Sequence, residues 1–209
     1  MVMRNFENLN HVKDMVLRNS TLVEYQRGET ICAAGGDKLA IRFISSGEAA
    51  LYSQLEVCNE QICAPLARGS IINVIDLLEG TNQHTIKATS RSMVYEFGLD
   101  KFLQHQNDPD FLRWCIRVVT HNVKLLSLYT SVLLLRNADD RLIMFLRVTH
   151  LQQHGVLPQG EFSLDWGMPQ QVFADMINVT RPYLNQRLKA LTDAGVLTIE
   201  GTRYTIRTP

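Results

Sequence analysis

The sequence predicts an α+β chain in three parts: an antiparallel β domain, one long helix, and a C-terminal winged helix-turn-helix. Three observations predict it. Between Thr21 and Phe97 short apolar runs alternate with glycines; from Phe111 to Arg136 there is neither Gly nor Pro; and from Met168 to Leu197 two helical patterns flank a tight turn. The 209 residues are 45% hydrophobic and 20% charged, which suits a globular chain of one or two domains and excludes a disordered or collagen-like one. Lys and Arg number 21 and Asp and Glu 21, so a globally basic nucleic-acid coat is excluded while a local basic patch is not.

Phe6, Leu9, Val12, Val16 and Leu17 recur at helical spacing, so a short amphipathic helix opens the chain. The period then changes. Leu39–Ile44, Ala49–Tyr52, Ile62–Leu66 and Ser92–Phe97 read as short strands punctuated by Gly28, Gly35, Gly36, Gly47, Gly69 and Gly80, the signature of an antiparallel sandwich or barrel. Cys32, Cys58, Cys63 and Cys115 are scattered, and no apolar run approaches a signal-peptide core or the ~20 residues of a membrane span. The chain therefore reads as cytoplasmic, off the membrane, with reduced thiols. The Cys58–Cys63 spacing matches no common zinc motif, and both read as ordinary residues near a strand turn.

Asp108-Pro109-Asp110 is a helix start, with Pro in the first turn and acids at the positive end of the dipole. In the helix that follows, Cys115, Asn122 and Tyr129 lie seven apart, as do Val118, Leu125 and Val132; Val119, Leu126 and Leu133 form a third row. Such a stripe either packs on the chain's own β domain or pairs two chains, with Asn122 as a polar position that fixes register. A helix of about 26 residues reaches about 39 Å, more than a small β domain needs for cover. Pairing is the preferred reading, with Cys115, Val118, Asn122, Leu125, Leu126, Tyr129 and Val132 as the dimer interface.

Asn137, followed by Asp139 and Asp140, reads as the N-cap of a new helix that ends near His154-Gly155. His150 and His154 are four apart, but no third metal ligand accompanies them, so they read as a polar helix face. The chain thus divides into a β domain with its N-terminal helix (1–108), the long helix (109–136) and a C-terminal domain (137–209).

In the last domain, Pro169 opens a helix carrying Val172, Phe173, Met176 and Ile177; Asn178 suits a tight left-handed turn; and Thr180 caps a second helix through Leu184, Leu188 and Leu191. The other face of that helix shows Arg181, Tyr183, Asn185, Gln186 and Lys189. Arg can read guanine, Asn or Gln adenine, and Arg, Lys and Tyr can hold phosphates. Val196–Ile206 makes a hairpin wing that carries Arg203. From 178 to 209 the basic residues Arg181, Arg187, Lys189, Arg203 and Arg207 outnumber the acids Asp193 and Glu200. Thr180, Arg181, Tyr183, Asn185, Gln186, Lys189 and Arg203 are therefore the DNA-contact candidates, with double-stranded DNA the partner.

Spaced glycines, a long helix and a winged helix resemble the cyclic-AMP receptor protein/FNR superfamily of bacterial transcription regulators over nearly the whole chain. The resemblance rests on Gly28, Gly35, Ile44-Ser-Ser-Gly47, Leu66-Ala-Arg-Gly69, Leu77-Leu-Glu-Gly80 and Ala174–Arg181 with Leu184, Leu188 and Leu191. It implies a cyclic-nucleotide-binding-like β-roll, a homodimer paired through the long helix, and recognition helices in successive major grooves of a near-palindromic operator. It also implies that Arg181 holds the arginine position at the start of the recognition helix, and it leaves RNA polymerase open as a further partner.

The departures concern the sensor. Cyclic-nucleotide binders of the family carry a Gly-Glu-Leu segment and then Arg-Ser or Arg-Thr; here stand Gly69–Asn73 and Asn82-Gln83-His84-Thr85. No Arg or Lys occurs from Gly69 to Ile86, whereas Asp76 and Glu79 add negative charge. A buried phosphodiester without a cation is costly, so cyclic AMP is not expected to bind. The first twenty residues lack the cysteine cluster of the iron–sulfur branch, and His84 alone is a weak haem ligand. No cofactor is therefore expected. Asn82, Gln83, His84 and Ser127 are the candidates to line a pocket for an unidentified ligand; cysteine redox sensing and a purely structural platform are the other readings of the domain. No phosphate loop, nucleophile elbow or zinc spacing points to an enzyme. The function expected is a dimeric, sequence-specific DNA-binding regulator; the alternative is a sensing or interaction module whose winged helix binds a protein.

Overall fold

The computed structural model describes residues 9–55 and 58–207, positions 54, 55 and 58–61 by backbone alone. Helix α1 (Asn10–Arg18) buries Val12 and Val16, four apart, against the β domain. Phe6, expected in this helix, lies outside the described residues. Strands β1 (Thr21–Tyr25), β2 (Thr30–Cys32), β3 (Ala40–Ser46), β4 (Ala49–Leu55), β5 (Cys58–Leu66) and β6 (Ile71–Ile72) follow, then helix α2 (Val74–Glu79) and strands β7 (Thr85–Ala88) and β8 (Ser92–Gly98). They form two antiparallel four-stranded sheets, β1-β8-β3-β6 and β2-β7-β4-β5. Along β3 the faces alternate: Ile41 joins the helices' cluster, while Ile44 lies with Ile31, Ile86 and Val94 in the core. The turn from β3 into β4 requires glycine. Gly47 has φ 79°, and a Cβ there would lie 2.2 Å from the Arg91 carbonyl oxygen.

A short helix α3 (Leu99–His105) leads to α4 (Pro109–Leu133), which starts as its sequence dictates. The Asp108 carboxylate accepts the Asp110 N–H at 2.8 Å, and Pro109 occupies the first turn. Helix α5 (Ala138–His154) is capped by Asn137, which accepts the Asp139 N–H at 2.9 Å, and stops at Gly155 in the left-handed region. Next come β9 (Phe162–Asp165), α6 (Gln170–Met176), α7 (Arg181–Asp193), β10 (Leu197–Glu200) and β11 (Arg203–Ile206). The wing is a three-stranded sheet, β10-β11-β9, rather than the two-stranded hairpin the sequence suggests.

The expected pairing face of α4 has to be corrected. Cys115 and Val118 are buried with Phe97, Phe111 and Trp114 against the β domain, and Leu125, Tyr129 and Val132 are buried with Phe145, Trp166 and Phe173 in the winged-helix core. Asn122 is half-buried, and its amide donates within the chain to the Ile71 carbonyl at 2.8 Å. Of the seven expected residues Leu126 alone stays exposed. The reason is that α4 serves two bodies of its own chain, one along each half, and both take the same inward rows. The outward row is Leu112, Ile116, Val123, Leu126 and Leu133, spaced four, seven, three and seven residues apart, a heptad pattern left in solvent. Ile62 of β5 also packs on the winged-helix core, joining the two domains.

Candidate nucleic-acid interface

Two helices and a tight turn build the site. Helix α6 buries Val172, Phe173, Ala174 and Met176, and the chain reverses through Asn178 at φ 53°, a conformation Asn tolerates better than most residues. Thr180 then caps α7, its hydroxyl accepting the Tyr183 N–H at 3.4 Å, with Pro182 in the first turn where its missing N–H costs nothing. Leu184, Leu188 and Leu191 are buried, so the opposite face points outward. Thr180, Arg181, Tyr183, Asn185, Gln186 and Lys189 are all exposed there, and Arg203 is exposed on the wing. The side chains of Arg181, Asn185, Gln186, Lys189 and Arg203 make no hydrogen bond or ion pair among the described residues. Their donors and acceptors are available to base edges and phosphates.

Arg187, counted in the sequence with the basic residues of this region, does a different job. Its guanidinium grips the Asp139 carboxylate of α5 with both ends of the fork, Nε to Oδ1 at 2.7 Å and Nη2 to Oδ2. Arg141 makes a second rivet, donating to the Ile177 carbonyl at 3.1 Å before the turn and to the Leu135 carbonyl at 2.9 Å after α4. Nothing in the sequence singled out these two pairings, which join residues 36 and 48 positions apart. On the wing, the backbones of Glu200 and Arg203 stand in register across a turn at Gly201, φ 60°.

The expected pocket residues do not converge. The Asn82 amide is buried and donates to the Gly36 carbonyl at 2.6 Å and the Lys38 carbonyl at 3.3 Å, fastening the loop before β3. Gln83 is exposed and donates to Glu79 at 2.7 Å. His84 is half-buried, and Ser127 is exposed on α4 with no hydrogen bond to this loop. What sits between the sheets is a charge pair the sequence did not announce. Arg42 of β3 and Glu96 of β8 face each other in register, both almost fully buried, with Nε to Oε1 at 3.2 Å. Arg42 also donates to Asn73 and to the Ala40 and Lys38 carbonyls, while Tyr25 and Lys38 donate to Glu96. Burial alone pushes the Glu96 carboxyl up, but the Lys38 and Tyr25 hydrogen bonds and the Arg42 charge outweigh it and hold the group below the usual carboxylate range.

Burial pushes the thiols of Cys32 and Cys63 up, and that of Cys115 to about 12. Reactive cysteines have depressed values, so these three stay protonated near neutrality. The side chain of Cys58 lies outside the described residues. Among those residues no group of three or more His, Cys, Asp or Glu could hold a metal ion, and no helix is long and apolar enough to cross a membrane. The ring centroids of His150 and His154 lie 4.4 Å apart, the planes tilted by 42°, with His150 Nδ1 3.1 Å from the Val156 carbonyl.

Residues 22–107 match the family model of the cyclic nucleotide-binding domain, and residues 140–209 that of the Crp-like helix-turn-helix domain. No curated protein matches the sequence. Among solved structures, FixK2 from Bradyrhizobium japonicum is similar at TM-score 0.74 and 17% identity, over 91% of this chain and 93% of that one. A CooA mutant from Carboxydothermus hydrogenoformans reaches 0.69 at 20% identity, covering 93% and 86%, and the c-di-GMP-responsive regulator CLP from Xanthomonas campestris 0.66 at 18%, covering 96% and 100%. With both domain models matched in order and joined by the long helix α4, the chain belongs to the cyclic-AMP receptor protein/FNR superfamily, a family of transcription regulators rather than enzymes.

Proposed function

We propose that this protein is a sequence-specific DNA-binding transcription regulator that acts as a homodimer on a near-palindromic operator and is not controlled by cyclic AMP. One observation carries the reading: the exposed, internally unengaged polar face of α7, with Arg181, Asn185, Gln186 and Lys189 on a helix whose other side is fully packed. In this reading Arg181, Asn185 and Gln186 address base edges, while Thr180, Tyr183, Lys189 and Arg203 hold phosphates.

The outward heptad row of α4 supports pairing of two copies, since five large apolar side chains in one stripe are costly in water. The Arg42–Glu96 pair supports independence from cyclic AMP. Arg42 is the buried cation beside Asn73, and its charge is already neutralised, so a cyclic phosphate would have to displace Glu96 and leave a buried carboxylate unpaired. The high thiols of Cys32, Cys63 and Cys115 weigh against redox sensing at those positions, which favours the β domain as a structural platform.

The test is selection from a randomised duplex pool by the purified protein, followed by affinity measured against salt. An enriched inverted repeat with half-sites about one helical turn apart, and a steep loss of affinity with salt, is the expected result. No enrichment, or binding to protein partners with a flat salt response, overturns the reading in favour of a winged helix that engages a protein.

A further inference from the structure

Polar and apolar contacts among the described residues fasten the winged-helix domain to its own β domain. Gln152 of α5 donates to the Pro65 carbonyl of β5 at 2.9 Å and to the Ser70 hydroxyl at 3.3 Å, and accepts from the Tyr129 hydroxyl of α4 at 3.0 Å. Ile62 of β5 packs on the winged-helix core. A further contact runs from the turn between β3 and β4 to the segment between β9 and α6: Glu48 Oε1 accepts the Gly167 N–H at 3.1 Å.

Both ends of that last contact are held rigid. Glu48 follows the obligatory Gly47; its N–H donates to the Ser90 and Ser92 hydroxyls at 2.9 and 3.0 Å, and its carbonyl accepts the Thr89 N–H at 2.9 Å. Gly167 follows Trp166, whose ring is buried against Phe145 and Phe173 and whose backbone N–H donates to the Thr202 carbonyl at 2.7 Å. A Cβ on Gly167 would come within 2.8 Å of Glu48 Oε2, so this backbone and that carboxyl touch directly. Yet the contact is unfinished. Glu48 Oε2 and Trp166 Nε1 are both buried without a hydrogen-bond partner among the described residues.

We propose that Glu48 is a proton-tightened clasp: the carboxyl, seated between the two domains against Gly167, holds the winged helix on its own β domain more firmly when protonated than when ionised. Burial pushes this carboxyl above the usual range, the Gly167 N–H pulls it partly back, and Asp165 on β9 adds to the rise. Among the described residues, Asp165 and Gly167 act on it from the winged-helix side, and on its own side the Ser90 and Ser92 hydroxyls serve its backbone. A group whose value is higher docked than free favours docking fully below its free value. It loses that contribution as pH rises through the docked value. In the acid form Oε1 still accepts from Gly167 while Oε2 no longer carries a buried negative charge.

The test needs no DNA, so its failure is separable from failure of the proposed function. The chain has two tryptophans, Trp114 in the β-domain cluster and Trp166 at the clasp. With both labelled as 5-fluorotryptophan, fluorine NMR and small-angle scattering are followed from about pH 4 to about pH 8. The expected result is that the Trp166 resonance titrates while Trp114 does not, and the radius of gyration rises over the same interval. E48Q loses both transitions and keeps the compact low-pH form, while D165N moves the midpoint to lower pH. G167A, which crowds the carboxyl, is expanded at every pH. Persistence of the transition in E48Q overturns the proposal, as does a Trp166 titration with no change in dimensions.

Discussion

Two adjacent residues on α4 separate the packing of one chain from the pairing of two. Leu125 is 7% exposed and Leu126 is 50% exposed. Leu125→Ala empties part of the winged-helix core and should cost about 2–5 kcal/mol of folding stability, the range for buried leucines. Leu126→Ala removes a half-exposed side chain whose full burial gives about 2 kcal/mol, so covering the remaining half in a dimer contributes about 1 kcal/mol. Two-fold symmetry counts it twice, and a total of about 2 kcal/mol weakens the dimer about thirty-fold. Sedimentation equilibrium reads the second effect and urea unfolding the first. Any apparent instability of the Leu126 variant should vanish at concentrations where both proteins are monomeric, whereas that of the Leu125 variant should persist. The reasoning is refuted if Leu126→Ala leaves the dimer constant within about three-fold, or if Leu125→Ala weakens pairing without lowering stability.

Arg181→Ala should cost about 1–3 kcal/mol of operator affinity and relax preference at one base position, whereas Lys189→Ala should weaken all sequences alike and reduce the salt slope by about one; competition binding on single-base operator variants checks both. Glu96→Ala leaves Arg42 buried and uncompensated and should cost about 3–5 kcal/mol, read by thermal unfolding. Because the Glu96 carboxyl is held low in the fold, its contribution is present above the ordinary carboxylate value and lost as pH falls through the folded one. Glu96→Gln should therefore flatten the acid limb of the stability profile. Gly47→Ala meets both a positive φ and the Arg91 carbonyl, and soluble yield with circular dichroism should show a grossly destabilised domain.

Local chemistry was readable along the chain because it is written within a few residues. The caps Asp108, Asn137 and Thr180, the left-handed Asn178 and the stop at Gly155 all stand where spacing put them. The outward polar face of α7 was legible too, from the leucines that fix its inward side. The expected pairing row and the row that stays exposed on α4 differ in phase for a physical reason. A helix packed against two bodies is apolar on several rows, and periodicity does not tell which row meets which body. Strand β9 escaped because four residues, Phe162–Asp165, carry little pattern of their own and gain strand character by pairing with β11. Arg42 offered a signal in hindsight: a charge in the middle of the apolar run Leu39–Ile44, matched by Glu96 in the run Ser92–Phe97.

The division of labour on α7 bears on how such a regulator changes over time. Arg187, gripped by Asp139, fixes where the helix sits, while Arg181, Asn185, Gln186 and Lys189 answer to nothing inside the molecule. Exposed positions of that kind accept substitution at within about 0.5 kcal/mol of stability. The lettering of the helix can thus be rewritten one residue at a time with the scaffold untouched, and under the proposed function a duplicated copy of this chain could shift its operator preference at little cost in folding.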